Sequence, residues 1–112
     1  LKTLQSLSLS QNGLIGTIPT ELGLLPNLQR LWLAGNSLKG RIPSELGGLE
    51  NLQVLHLEGN ALRGSMPSEI CANYDGGIAQ PLTIVGADCS SLSGATVNCA
   101  CCTCCSMEEC EV

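Results

Sequence analysis

"LPNLQRLWLAGNSLKGRIPSELGG", residues 25–48, alternates leucine with other residues in "LWL", breaks at "AGN", and closes on "IPSEL". Alternation of period two gives a short strand one buried face. The same frame stands on either side. Residues 1–24 read LKTLQSLSLSQNGLIGTIPTELGL, and residues 49–72 read LENLQVLHLEGNALRGSMPSEICA. The three align without gaps on LxxLQxLxLxxNxLxGx(I/M)PxE(L/I). A unit this small cannot enclose its own leucines, so units stack and share one core. The frame therefore predicts a solenoid.

Each recurring position has a physical task. Stacked strands form a parallel sheet, with Leu7, Leu31 and Leu55 in one interior column and Leu9, Leu33 and Leu57 in the next. Asn12, Asn36 and Asn60 recur where the chain leaves the strand. An inward amide there can bond backbone groups of its own turn and of the next coil, so these residues read as a structural ladder. Gly16, Gly40 and Gly64 suit unusual backbone angles. Pro19, Pro43 and Pro67 precede Thr or Ser and then Glu, a start suited to a short helical turn. Glu21, Glu45 and Glu69 then favour the N-terminal dipole of that turn, a simpler account than a calcium site.

These motifs resemble leucine-rich repeats of the plant extracellular subclass, whose consensus is LxxLxxLxLxxNxLxGxIPxxLG. The resemblance covers residues 1–72. It implies an α/β solenoid, right-handed and curved, with a concave parallel sheet and a mostly irregular or 3-10 convex side. It also implies a second short strand near "GTIP", "GRIP" and "GSMP". Such domains form ectodomains of receptor-like kinases, receptor-like proteins and cell-wall inhibitor proteins.

Composition narrows the function classes. The chain has 112 residues, room for one small domain. It divides into three 24-residue repeats (1–24, 25–48, 49–72) and a Cys-rich capping region, 73–112. The net charge is −5. Lys2, Arg30, Lys39, Arg41 and Arg63 all precede the tail, where Glu21, Glu45, Glu50, Glu58 and Glu69 balance them. The tail adds Asp75, Asp88, Glu108, Glu109 and Glu111 without a base. No basic patch marks a nucleic-acid partner. No apolar run reaches the roughly 20 residues of a membrane span. No Asn-x-Ser/Thr acceptor for an N-glycan occurs. The sequence opens inside the repeat pattern, so the leucines of the first unit lack a coil in front, and upstream repeats are the expected neighbour.

Strand alternation sends Gln5/Gln29/Gln53, Ser6/Arg30/Val54, Ser8/Trp32/His56 and Ser10/Ala34/Glu58 to the exposed sheet face. A solenoid binds on that face. Trp32 beside Arg30, with His56 and Glu58 one coil on and Ser8 one coil back, is the candidate ligand-binding set, since Trp and Arg favour binding hot spots. The plainer alternative is a half-buried Trp32 covered by long neighbours. His56 has at best Glu58 as a second ligand, too few for a metal, and no nucleophile partner for catalysis. No catalytic residue, metal site or cofactor is expected.

The tail begins on the scaffold. Gly23 and Gly47 recur at one position of the frame, and Cys71 follows at the same interval. Cys89, Cys99, Cys101, Cys102, Cys104, Cys105 and Cys110 complete eight cysteines. The short apolar run 82–85 suits a strand or coil against the last repeat. "ADCSS…VNCACCTCC" resembles the C-terminal flank of extracellular leucine-rich-repeat proteins of the diatom type, which implies a surface or secreted protein. The dense C-x-C-C-x-C-C tract also resembles thiolate clusters that bind soft metals. Extracellular-type repeats argue instead for an oxidising compartment, where thiols pair. Adjacent cysteines cannot bond each other without strain, so Cys101 and Cys102 need different partners, as do Cys104 and Cys105. At least one bridge from Cys71 or Cys89 into the cluster is expected. The result would be a disulfide-rich cap closing the solenoid end.

The functional expectation is a non-enzymatic extracellular or cell-surface module. It recognises a protein or polysaccharide on its concave face, as the C-terminal part of a longer receptor-like or secreted protein. The alternatives are a structural matrix or adhesion spacer, and an inhibitor of a secreted hydrolase resembling polygalacturonase inhibitors.

Overall fold

The computed structural model describes residues 3–74, 81–89 and 97–110. Leu1 of the first frame and the 75–80 and 90–96 stretches of the expected cap lie outside them. The strands, in chain order, are β1 (Ser6–Ser8), β2 (Ile15–Gly16), β3 (Arg30–Trp32), β4 (Ser37–Arg41), β5 (Val54–His56), β6 (Ala61–Ser65), β7 (Ile84–Gly86) and β8 (Val97–Asn98). They form two parallel sheets, ordered β1-β3-β5-β7 and β2-β4-β6-β8. Two 3-10 turns, Thr20–Leu24 and Ser44–Gly48, and one α-helical turn, Ser68–Cys71, form the opposite wall. Each turn follows a proline in extended conformation and carries a glutamate in its first turn. The second sheet matches the short strands that the resemblance implies.

In the first sheet Leu7 pairs with Leu31, and Leu31 with Leu55, each one 24-residue step on. The fourth strand continues the column with Val85 opposite Leu55. Here the step is 30 residues, from Val54 to Ile84, so the tail builds a longer and degenerate fourth coil. Its interior residues are smaller: Val85 and Ala87 are fully buried where earlier coils place leucine. The 82–85 run thus supplies a strand, as the apolar pattern suggests. Leu28, Leu31, Leu46, Leu49, Leu52, Leu55, Leu57 and Leu62 fill the core between the sheets and the turns. The first coil is less enclosed. Leu4, Leu7, Leu9, Leu14, Leu22 and Leu25 are only partly buried, and Ile15 and Leu24 are 81 % and 78 % exposed.

The asparagines set the pitch. Asn36 Nδ2 donates to the carbonyls of Leu9 and Leu33 at 3.0 Å each, one in the coil before and one in its own turn. Its Oδ1 accepts from the backbone N–H groups of Asn12 (2.9 Å) and Leu14 (3.0 Å). Asn60 repeats the arrangement, donating to Leu33 and Leu57 and accepting from Leu38 N–H. Asn12 is exposed and makes one local bond, to Ser10 O. The fourth coil has no asparagine here. Asp88 takes over, its carboxylate accepting from the N–H groups of Gly59 and Asn60 at 2.9–3.1 Å.

Glycines mark two close approaches. Gly16, Gly40 and Gly64 have φ of 85°, 83° and 87°, the left-handed region where glycine has no Cβ penalty. Gly47 lies so near the following turn that a Cβ would stand 2.5 Å from Glu69 Cβ. Gly23 meets Glu45 in the same way. At the third occurrence no further helical turn stacks among the described residues, and Cys71 occupies the slot.

Two substitutions test this core. Leu55→Ala removes a fully buried side chain from the centre of the stack and should cost about 2–5 kcal/mol. Leu7→Ala, at the open first coil, should cost markedly less in the same urea denaturation. Asn36→Ala orphans buried backbone groups at roughly 1–3 kcal/mol each. The expected loss is at least about 2 kcal/mol, whereas Asn12→Ala should shift the midpoint little.

Candidate ligand-binding site

The tail builds the site as much as the repeats do. Beyond β7 the chain returns along the open edge of the first sheet. Thr103 N–H donates to Val85 O at 2.7 Å, and Thr103 Oγ1 lies 3.0 Å from Val85 N and 3.2 Å from its carbonyl. Cys104 bridges to Gly86, and Ala87 N–H reaches Cys104 O at 3.3 Å. This pairing covers an edge that would otherwise present free backbone groups. Asn98 closes the second sheet likewise, accepting from Met66 N–H at 2.8 Å.

Four disulfides fasten the cap: Cys71–Cys101, Cys89–Cys105, Cys99–Cys102 and Cys104–Cys110. Both adjacent pairs send their sulfurs to different partners, and both Cys71 and Cys89 reach into the cluster. Cys71 therefore ties the last scaffold turn to the tail. Cys104–Cys110 turns the final segment back over the concave face, and Cys110 N–H donates to Ser106 O at 2.9 Å. That return brings Met107 over the sheet. A Cβ on Gly59 would stand 2.5 Å from Met107 Sδ and one on Gly35 would stand 3.6 Å from Met107 Cε.

The result is an open cavity of about 430 Å³ between sheet and tail. Trp32 and Ala34 lie on its sheet side, and Met107, Glu108 and Cys110 on its tail side. His56 and Glu58 form its inner end. The charged groups that line it among the described residues are acidic or the single imidazole, and no described Lys or Arg lines it.

The candidate residues divide here. Trp32 is half-buried, as its plainer reading expects, sits between Ser8 and His56 in register, and lines the cavity. Ser8 is exposed but lies outside the cavity wall. Arg30 also lies outside it, with its guanidinium donating to Ser6 Oγ at 3.2 Å. The expectation that His56 and Glu58 are exposed is corrected. They are 3 % and 4 % exposed, because the Cys104–Cys110 segment folds across them. Their side chains pair with each other, His56 Nδ1 standing 3.1 Å from Glu58 Oε2. Polar groups taken out of water need such a partner. The expectation that His56 has only Glu58 for company is corrected too. One of its ring nitrogens and the sulfurs of Cys104 and Cys110 lie within 4.8 Å of one another.

Met107 and Asp88 escaped the sequence reading. Both act from outside the repeat frame. The available signal for Met107 was the Gln11/Gly35/Gly59 column, whose members share a left-handed φ of 58°, 71° and 74°. Two glycines there leave a flat surface on which a side chain can lie.

The leucine rich repeat family model matches residues 1–62, and the chain belongs to that family. Solved structures similar to it include a plant peptide hormone receptor, RGFR1, in complex with RGF2. That match has 43 % identity and a TM-score of 0.68 over 79 % of this chain and 14 % of the receptor chain. The PEPR1–AtPEP1 structure matches at 43 % identity and TM-score 0.61, over 62 % of this chain and 10 % of the other. The BIR3–SERK2 complex from Arabidopsis thaliana matches at 45 % identity and TM-score 0.57, over 61 % and 37 %. The chain thus spans a small part of the receptor chains it resembles. No curated protein matches it.

The cover over the cavity has a direct optical test. Trp32 is the only tryptophan. Met107→Gly should open the cavity beside it and increase iodide quenching of Trp32 fluorescence, while the far-UV dichroism stays unchanged.

Proposed function

We propose that this chain is the C-terminal part of an extracellular, non-enzymatic leucine-rich-repeat module that recognises a protein or peptide partner. The cavity at Trp32 carries the reading. It joins a half-buried aromatic to a polar rim, the combination that anchors peptide side chains. Its floor comes from strands of the first sheet. The structures with RGFR1 and PEPR1 are of receptor ectodomain solenoids, which supports a recognition role for the same repeat class here. Four disulfides suit an oxidising compartment. A preceding coil of the same repeat is the expected occupant of the open first coil, where Leu24 and Ile15 stand exposed.

The acidic wall selects among partners. Glu108 at the rim, with no Lys or Arg lining the cavity among the described residues, favours a peptide that presents a basic or neutral apolar side chain.

A displayed random-peptide library panned on the oxidised chain tests the proposal. Enriched binders should lose at least tenfold in affinity on Trp32→Ala and change less than twofold on Ser8→Ala. No enrichment, or equal affinity for Trp32→Ala, returns the solenoid to the role of a spacer. Binding of cell-wall polysaccharide fragments in a parallel arm, lost on Trp32→Ala, replaces the peptide with a glycan ligand.

A further inference from the structure

The buried pair under the tail is unexplained by packing. His56 and Glu58 occupy outward positions of the sheet, yet both are buried, and burial of two ionisable groups in a leucine-rich solenoid is costly. The Cys104–Cys110 disulfide lies on top of them. One ring nitrogen of His56 and both sulfurs fall within 4.8 Å of one another. Glu58 approaches the same point: a Cβ on Gly86 would collide with Glu58 Oε1 and stand 2.7 Å from Cys110 Sγ and 3.0 Å from Cys104 Sγ. Gly86, the register partner of His56, leaves the space in which these groups meet. Position 86 is glycine where the neighbouring strands carry Trp32 and His56.

We propose that His56, Cys104 and Cys110 form a Zn²⁺ site when the Cys104–Cys110 disulfide is reduced, with Glu58 as the positioning carboxylate. The donor set is two thiolates and an imidazole, which zinc favours in tetrahedral sites with a fourth position for water. Glu58 Oε2 stands 3.1 Å from His56 Nδ1, while one of the ring nitrogens lies with the two sulfurs. A carboxylate behind a ligating histidine fixes its tautomer and orientation. The two cysteine Cα atoms are 5.2 Å apart. That suits two sulfurs bound to one ion at about 2.3 Å each, which places them roughly 3.8 Å from each other. Among the described cysteines, Cys110 alone lines the open cavity, so a small reductant and the ion share an entry path, and a cavity water can take the fourth position.

The chemistry balances. A dithiol attacks the disulfide, a mixed disulfide forms, and its resolution leaves Cys104 and Cys110 as thiols while the dithiol is oxidised to its own disulfide. Two electrons and two protons move to the protein. Zn²⁺ then displaces both thiol protons to solvent. Disulfide and zinc are thus two alternative clasps for one segment. Either holds residues 104–110 over the concave face, and loss of both frees it.

Limited reduction with dithiothreitol, followed by alkylation and peptide mapping with or without Zn²⁺, tests this on the whole chain without a substitution. Expected is at least tenfold slower alkylation of Cys104 and Cys110 in the presence of Zn²⁺, at one equivalent per chain. Unchanged alkylation at these two residues overturns the proposal, as does protection confined to other cysteines. Three variants sharpen it. Cys104→Ser with Cys110→Ser, which keeps the other bridges, should lose the equivalent. His56→Gln should lose the protection. Glu58→Gln should retain it with roughly 10–100-fold weaker Zn²⁺ affinity. Equal Zn²⁺ affinity of His56→Gln and the unsubstituted chain means binding by thiols alone and also overturns it.

Discussion

A coil of 24 residues cannot bury its own leucines, and the amide of one asparagine holds each coil to its neighbour. Asn36 spans two turns with bonds to Leu9 O and Leu33 O and from Asn12 N–H and Leu14 N–H. Those bonds fix the distance between coils. The leucine columns interlock only at that distance, and the strands pair only when the columns interlock. The glycine slots at Gly23 and Gly47 are the other side of the same constraint, since the helical turns stack too tightly there to admit a Cβ. Removing the pitch would therefore loosen sheet, core and turns together.

The end of the stack is a different problem, solved with different means. The tail has no leucine frame, yet it pairs with the last strands through backbone bonds at Val85, Gly86 and Asn98. It replaces leucine by Val85 and Ala87 and the ladder asparagine by Asp88. The disulfides then carry what a thin core cannot. Cys71–Cys101 closes 30 residues of chain and removes more freedom from the unfolded state than Cys99–Cys102, which closes 3. The structural work of the cap thus falls mainly on the bridges that start at Cys71 and Cys89.

The repeats are legible in the sequence because each position performs a local task that recurs. Leu31, Asn36, Gly40 and Pro43 behave as their frame predicts, and the disulfide-rich cap can be foreseen from Cys71 standing where Gly23 and Gly47 stand. The candidate site was legible only in part. Trp32 could be placed on the concave face by alternation. The burial of His56 and Glu58 could not, because it depends on where residues 104–110 return, some fifty positions away in a segment without periodicity. Met107 lies over Gly59 for the same reason: long-range placement set by one disulfide, with no repeat to announce it.

Cys71 gives the solenoid a direction. In the interior coils the glycine slot accepts the next turn; at position 71 a cysteine bonded to Cys101 stands in it, and among the described residues no further helical turn stacks there. Among the described residues the first coil has no such bridge, and its leucines are only partly covered. The 24-residue frame stacks the coils and the bridge at Cys71 ends the stacking of the turns, so one residue in the third repeat marks where one device gives way to the other.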